Sequence, residues 1–255
     1  MPNPRGRHEP HHRQQQWTNI DRMKDPTRIP RILEELRATW EGQPDLELAT
    51  LFGVLQNRGV GWGTDDDTLV EALRELRHRR PPRVENGDTG RFIVDTTGPD
   101  CRVMIDPHRV VVRRPGASGV ACQPGVWEYS GIIRCEVGSP LLIDDREQVR
   151  HRLGVVTGIE RVSEHPLRQE TSLGGLTRKL LDDRVLLIRV EGGTSVVVSR
   201  ALSVFTPTRR TVEQTRHPWA RLVTVTPGEP LVIELPGRGQ RLELGPVTEC
   251  FFLEG

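Results

Sequence analysis

The sequence predicts an α+β protein: a small N-terminal three-helix domain followed by two tandem, duplicated antiparallel β modules, each a small barrel or sandwich. Three observations carry this expectation. Up to about residue 80, apolar residues recur at helical spacing. Beyond residue 90 the pattern changes to many short alternating runs separated by Gly and Pro. That β-rich part then reads as if written twice. Gly138-Ser139-Pro140-Leu141-Leu142-Ile143 returns as Gly228-Glu229-Pro230-Leu231-Val232-Ile233, an offset of 90 (228 minus 138), and Val156-Thr157 returns as Val247-Thr248. A Trp opens the second half of each copy, at Trp127 and Trp219.

The resulting division is a disordered arm over 1–22, a helical domain over 23–80, a linker over 81–90, a first β module over 91–162, a bridge over 163–184 and a second β module over 185–255. The arm is rich in Pro, Arg, His and Gln, so ordering it costs entropy without burying apolar surface. His8, His11 and His12 within it lack the preorganised geometry and outer partners of a metal site.

In the helical domain, Asp25-Pro26 reads as the start of a first helix, with Pro30 as an alternative beginning of its regular part. Ile29, Ile32, Leu33, Leu36 and Trp40 form its apolar stripe, and Arg31, Glu34, Glu35 and Arg37 are expected to face away. A second helix carries Leu48, Leu51, Phe52 and Leu55 and ends in the Gly-rich stretch 57–63. The third is expected to start at a Thr64–Asp67 capping box and to bury Leu69, Val70, Leu73 and Leu76. Fewer than 60 residues make a marginal core, so this bundle should dock on something else. The landmarks Asp25-Pro26-Thr27-Arg28-Ile29, Trp40, Pro44-Asp45-Leu46 and Asp65-Asp66-Asp67-Thr68-Leu69 resemble a short bacterial and phage helical protein family of uncharacterised role, over residues 23–79. The resemblance implies a compact helical domain and supplies no activity.

The first β module is expected to hold strands at 91–95, 102–106, 109–113, 127–137, 141–143 and 155–162. The second holds them at 185–190, 195–199, 201–206, 221–225, 231–235 and 247–253. Alternation from Trp127 to Val137 gives the longest strand one buried face. A short helix is expected over 176–181. Six-stranded modules would also leave free edges to which a partner peptide can add a strand.

Composition narrows the function. Lys plus Arg number 36 against 35 Asp plus Glu, so no strong global field attracts nucleic acid or membrane, and any such binding has to be local. No run approaches the roughly 18 apolar residues of a bilayer span. Nor does the start resemble a signal peptide. Cys101, Cys122, Cys135 and Cys250 have neither metal-finger nor disulfide-framework spacing, which places them as reduced thiols in the cytoplasm.

No catalytic, cofactor or metal signature is present. Asp65-Asp66-Asp67 is better placed as a helix start than as a cation site. Cys122 with His108 and Ser172 with His165 are the nucleophile pairs an unrecognised hydrolase would need, without a local motif around either. The basic run Arg74, Arg77, His78, Arg79, Arg80 and Arg83, extended by Arg109, Arg113 and Arg114 if they share a side, is the candidate for phosphate contact. Set against that is a cationic helix end with a solvated linker. Trp127 and Trp219 are candidate groove-lining residues, with core packing as the alternative. The expectation is therefore a non-enzymatic cytoplasmic adaptor or regulatory protein that binds another protein, with a nucleic-acid-contacting accessory protein of plasmid or phage type as the alternative.

Overall fold

A computed structural model describes residues 25–115, 122–162, 173–237 and 239–254. The expected disordered arm lies outside these residues, as do His165 and Ser172. Among the described residues no helix is long and apolar enough to cross a membrane.

The N-terminal unit comprises α1 (Arg28–Glu41), α2 (Leu48–Gln56) and α3 (Asp66–Arg79) around Leu51, Leu55, Leu73 and Leu76. The cap of α3 is Asp65, whose carboxylate accepts the Thr68 N–H at 2.9 Å, while the Thr64 hydroxyl accepts the Gly61 N–H at 2.8 Å. An ionised cap serves both the free amide and the helix dipole. Asp66 and Asp67 continue α3 and pair with Arg28 and Arg31 of α1 at 2.6 and 2.8 Å, so each acid of the triplet already has a protein partner.

The orientation of α1 corrects the expected stripe. Its buried residues are Glu35 and Thr39, whereas Ile29, Leu33 and Trp40 are exposed. Polar contacts across the helix pair set this rotation. Glu35 meets two arginines of α3, and Thr39 Oγ1 lies 2.7 Å from the Glu35 carbonyl oxygen and 3.1 Å from that of Leu73. The chain turns at Gly42, where a Cβ would collide with the Arg80 carbonyl oxygen.

The first β unit is a closed six-stranded antiparallel barrel of β1 (Arg91–Thr97), β2 (Cys101–Ile105), β3 (Arg109–Arg113), β4 (Gly125–Arg134), β5 (Pro140–Asp145) and β6 (Arg150–Val162). Inward residues at alternate positions, among them Phe92, Val94, Val103, Val110, Leu141, Ile143 and Val156, fill it. Pairing of β1 with β6 closes the ring and removes the free outer edges expected of an open sheet.

The second unit has seven strands, β7 (Val185–Val190), β8 (Ser195–Val198), β9 (Leu202–Pro207), β10 (Val212–His217), β11 (Arg221–Thr224), β12 (Pro230–Glu234) and β13 (Arg241–Glu254), in the order β10-β9-β8-β7-β13-β12-β11. Residues from both halves of this sheet, including Leu186, Val196, Val204, Leu222, Leu231 and Ile233, share one core, so the sheet curls on itself. The helix α4 (Arg178–Leu181) drives Leu181 into that core. Strand β10 is exposed along most of its length, which is why its sequence shows no alternation.

Pairing in the barrel runs β4-β3-β2-β1-β6-β5 and back to β4, and the second sheet follows the same course with β10 and β11 at its two ends. Backbone knots recur at the sequence anchors. The Gly138 N–H donates to Val156 O at 2.8 Å and the Val156 N–H to Ser139 O at 2.9 Å. Likewise the Gly228 N–H donates to Val247 O at 2.8 Å and the Val247 N–H to Glu229 O at 2.9 Å. Gly138 and Gly228 both hold positive φ, at 80° and 86°, which favours glycine at each turn. The Trp residues do not share a role. Trp219 Nε1 donates to Ser199 O, in the β8–β9 turn, at 2.7 Å; the comparable tie to the β2–β3 turn is Tyr129 Oη donating to Asp106 O at 3.0 Å.

The three units pack together. The segment 81–90 lies against the end of β4: the Val84 N–H donates to Cys135 O, the Val137 N–H to Pro82 O, and Asn86 Oδ1 accepts the Ile132 N–H. Outward Met104 and Val111 of the barrel bury against Val185, Leu187 and Leu253 of the second sheet. At the rim, Glu249 receives Arg109 at 2.6 Å and Arg189 at 2.8 Å, and the Arg109 guanidinium lies 4.6 Å from the centre of the Phe251 ring.

Candidate functional site

Where α3 and the 81–90 segment meet β6, the surface forms an open groove of about 980 Å³ lined by Glu71, Arg74, Glu75, Arg77, His78, Arg79, Pro81, Pro82, Arg83 and Arg161. Helical spacing supplies one wall, because each of Glu71, Arg74, Glu75, His78 and Arg79 has another member of the set three or four residues away, which puts them on one face of α3. The proline pair follows the end of the helix, and Arg80 at its C-cap stands near Glu160 of β6. Arg161 reaches the groove from β6.

The arginines are not equivalent. Arg74 donates through Nε and Nη2 to Glu35 Oε1 at 2.8 and 2.6 Å, and Arg77 Nη1 lies 2.8 Å from Oε2 at an angle that leaves this oxygen without a well-aligned donor. Hydrogen bonding from Arg74, reinforced by the charge of Arg77, holds the Glu35 carboxyl below its ordinary range against the opposing effect of burial. Both arginines are thereby committed to joining α1 and α3. Arg80 stands 3.8 Å from Glu160, and Arg83 forms a solvent-exposed pair with Glu85 at 2.9 Å, a contact of small net worth that leaves its guanidinium accessible. Among the described residues, Arg79 and Arg161 form no ion pair.

Arg161 is the residue the sequence reading missed. Its guanidinium lies 4.6 Å from the centre of the buried Phe92 ring, its Nε is buried without a hydrogen-bond partner, and a Cβ on Gly90 would collide with its Nη1. Within β6 it reads only as one polar member of an alternating run.

The other predicted residues lie elsewhere. Arg113 points outward from β3 on the face that carries Val111 against the second β unit; burial, with Arg102 beside it, pushes its guanidinium down to about 10. Arg114 is exposed beyond the end of β3. Strand β3 stands across the ring from β6, so neither extends the groove. Trp219 is 2% exposed and packed in the second core. Trp127 packs on the barrel core with its ring centroid 4.8 Å from that of His151.

No family model, curated protein or solved structure matches the chain.

The nucleophile nominations gain no support from geometry. Cys122 and His108 are both exposed, and no contact joins them among the described residues. Burial pushes the Cys135 thiol up to about 12 and raises that of Cys250, which suppresses the thiolate form. His151 Nε2 meets Asp145 Oδ2 at 2.8 Å, but an indole lies against this imidazole.

Proposed function

We propose that this chain is a non-enzymatic binding protein of adaptor or regulatory type, acting in the cytoplasm, and that the arginine groove is the surface it presents to an anionic partner. The observation that carries this reading is the pair Arg79 and Arg161, two groove cations without an intramolecular counter-ion among the described residues. Filled β cores favour surface recognition over chemistry in an interior cavity. The expected resemblance of 23–79 to short helical proteins fits a recognition unit joined to a β scaffold. That scaffold we take to be one module duplicated, a reading supported by the common pairing course and by the knots at Gly138 and Gly228.

A nucleic-acid partner is the second reading, favoured by the placement of Arg79, Arg80 and Arg83 at the open end of α3. Fluorescence anisotropy of the full chain with a labelled glutamate-rich peptide and a labelled short DNA duplex, each across a salt series, tests both readings. Binding should weaken as salt rises and be lost in Arg79→Glu. Affinity indifferent to salt and to that substitution refutes an electrostatic groove.

A further inference from the structure

We propose that Arg161 is a preorganised receptor for a carboxylate side chain of an acidic peptide segment; this rests on the groove being the partner-binding surface. Three constraints hold its guanidinium. Phe92 supports its face, Gly90 leaves room for Nη1 that no other side chain would leave, and its anchor on β6 is part of the closed barrel. Stacking on an aromatic ring fixes the plane of the fork while leaving its outer donors free for a planar carboxylate. A half-buried guanidinium of this kind ordinarily has an acid beside it, because a partly desolvated charge without a counter-ion is costly. Among the described residues none is paired with Arg161.

The shape and charge of the walls favour a peptide over a duplex. The site is a concave notch between a helix and a barrel, suited to a protruding chain. Glu71 and Glu75 stand on the α3 wall and would repel a continuous row of phosphates, whereas a peptide can set its acids against Arg79 and Arg161 only. Pro81 and Pro82 give its apolar side chains a surface.

The test measures binding of a labelled glutamate-rich peptide to the full chain, with an unlabelled short DNA duplex as competitor. Arg161→Lys keeps the charge and removes the fork; it should weaken the peptide roughly tenfold or more. Gly90→Ala, which displaces the guanidinium, should weaken it too. Unchanged affinity in Arg161→Lys, or a duplex that outcompetes the peptide at equal salt, overturns the proposal. If Arg79→Glu abolishes peptide binding while Arg161→Lys does not, the groove stands and the receptor falls; if neither matters, both fall. Should Arg161→Lys disturb folding, phenylglyoxal modification of the wild type decides. Protection of Arg161 by the peptide supports the assignment, and unchanged modification contradicts it.

Discussion

Glu35→Gln removes one charge from the centre of the helical unit while keeping the side-chain shape. In the wild type, Glu35 accepts two hydrogen bonds from Arg74 and faces Arg77, with its own side chain 11% exposed. A hydrogen bond to a charged group contributes roughly 1.5–3 kcal/mol. Exposure of Arg74 at 54% and Arg77 at 35% lowers that, because water screens the partners. Glutamine keeps one acceptor but presents an amide donor to a second donor. The expected loss is about 2 kcal/mol, large for a bundle with so small a core. Because the folded-state carboxyl is held below its reference value of 4.5, its contribution is full above that pH and is lost as pH falls through the folded-state value. Urea unfolding followed by far-UV circular dichroism should therefore show a gap between wild type and variant at neutral pH that closes in acid. No gap at neutral pH, or one unchanged in acid, refutes the role given to Glu35.

Other expectations concern the β units. Leu187→Ala empties a fully buried site between them and should cost about 2–5 kcal/mol in thermal or urea unfolding. Tyr129→Phe removes only the donor to Asp106 O and should cost about 1 kcal/mol, measured the same way. Gly154→Ala should be more damaging, about 2–4 kcal/mol, because φ is 96° and a Cβ would sit 2.6 Å from Pro99 O and 2.7 Å from Thr97 O. A neutral result there would contradict the barrel closure that brings β6 against the β1–β2 turn.

The positions of most strands in the β part were readable because turn glycines and short alternating runs are local signals. The anchors Gly138 and Gly228 both sit in positive-φ turns, but the alternation expected from Trp127 to Val137 breaks within β4: register shifts in its pairing with β5 bury Ile132 and leave Ile133 exposed, and the strand ends at Arg134. What failed depended on partners distant in sequence. The α1 stripe looked core-facing, yet its rotation is set by Arg74 and Arg77, some forty positions away. Trp127 looked like the counterpart of Trp219, but the residue in the comparable tie is Tyr129, which keeps the 90-residue offset of Gly138 and Gly228. Strand β10 gave no pattern because it has little to bury. Half of the groove was legible as an arginine run through the end of α3 and the segment after it. Arg161, contributed by a strand about eighty residues later, becomes meaningful only through Phe92 and Gly90.

Hydrogen exchange of the full chain with and without a glutamate-rich peptide locates the binding surface directly. The account predicts added protection at the C-terminal end of α3, along 81–90 and at the end of β6 around Arg161, with the β9–β10 hairpin unchanged. Protection confined to that hairpin, or none at the α3–β6 junction under conditions where the peptide is bound, would contradict it.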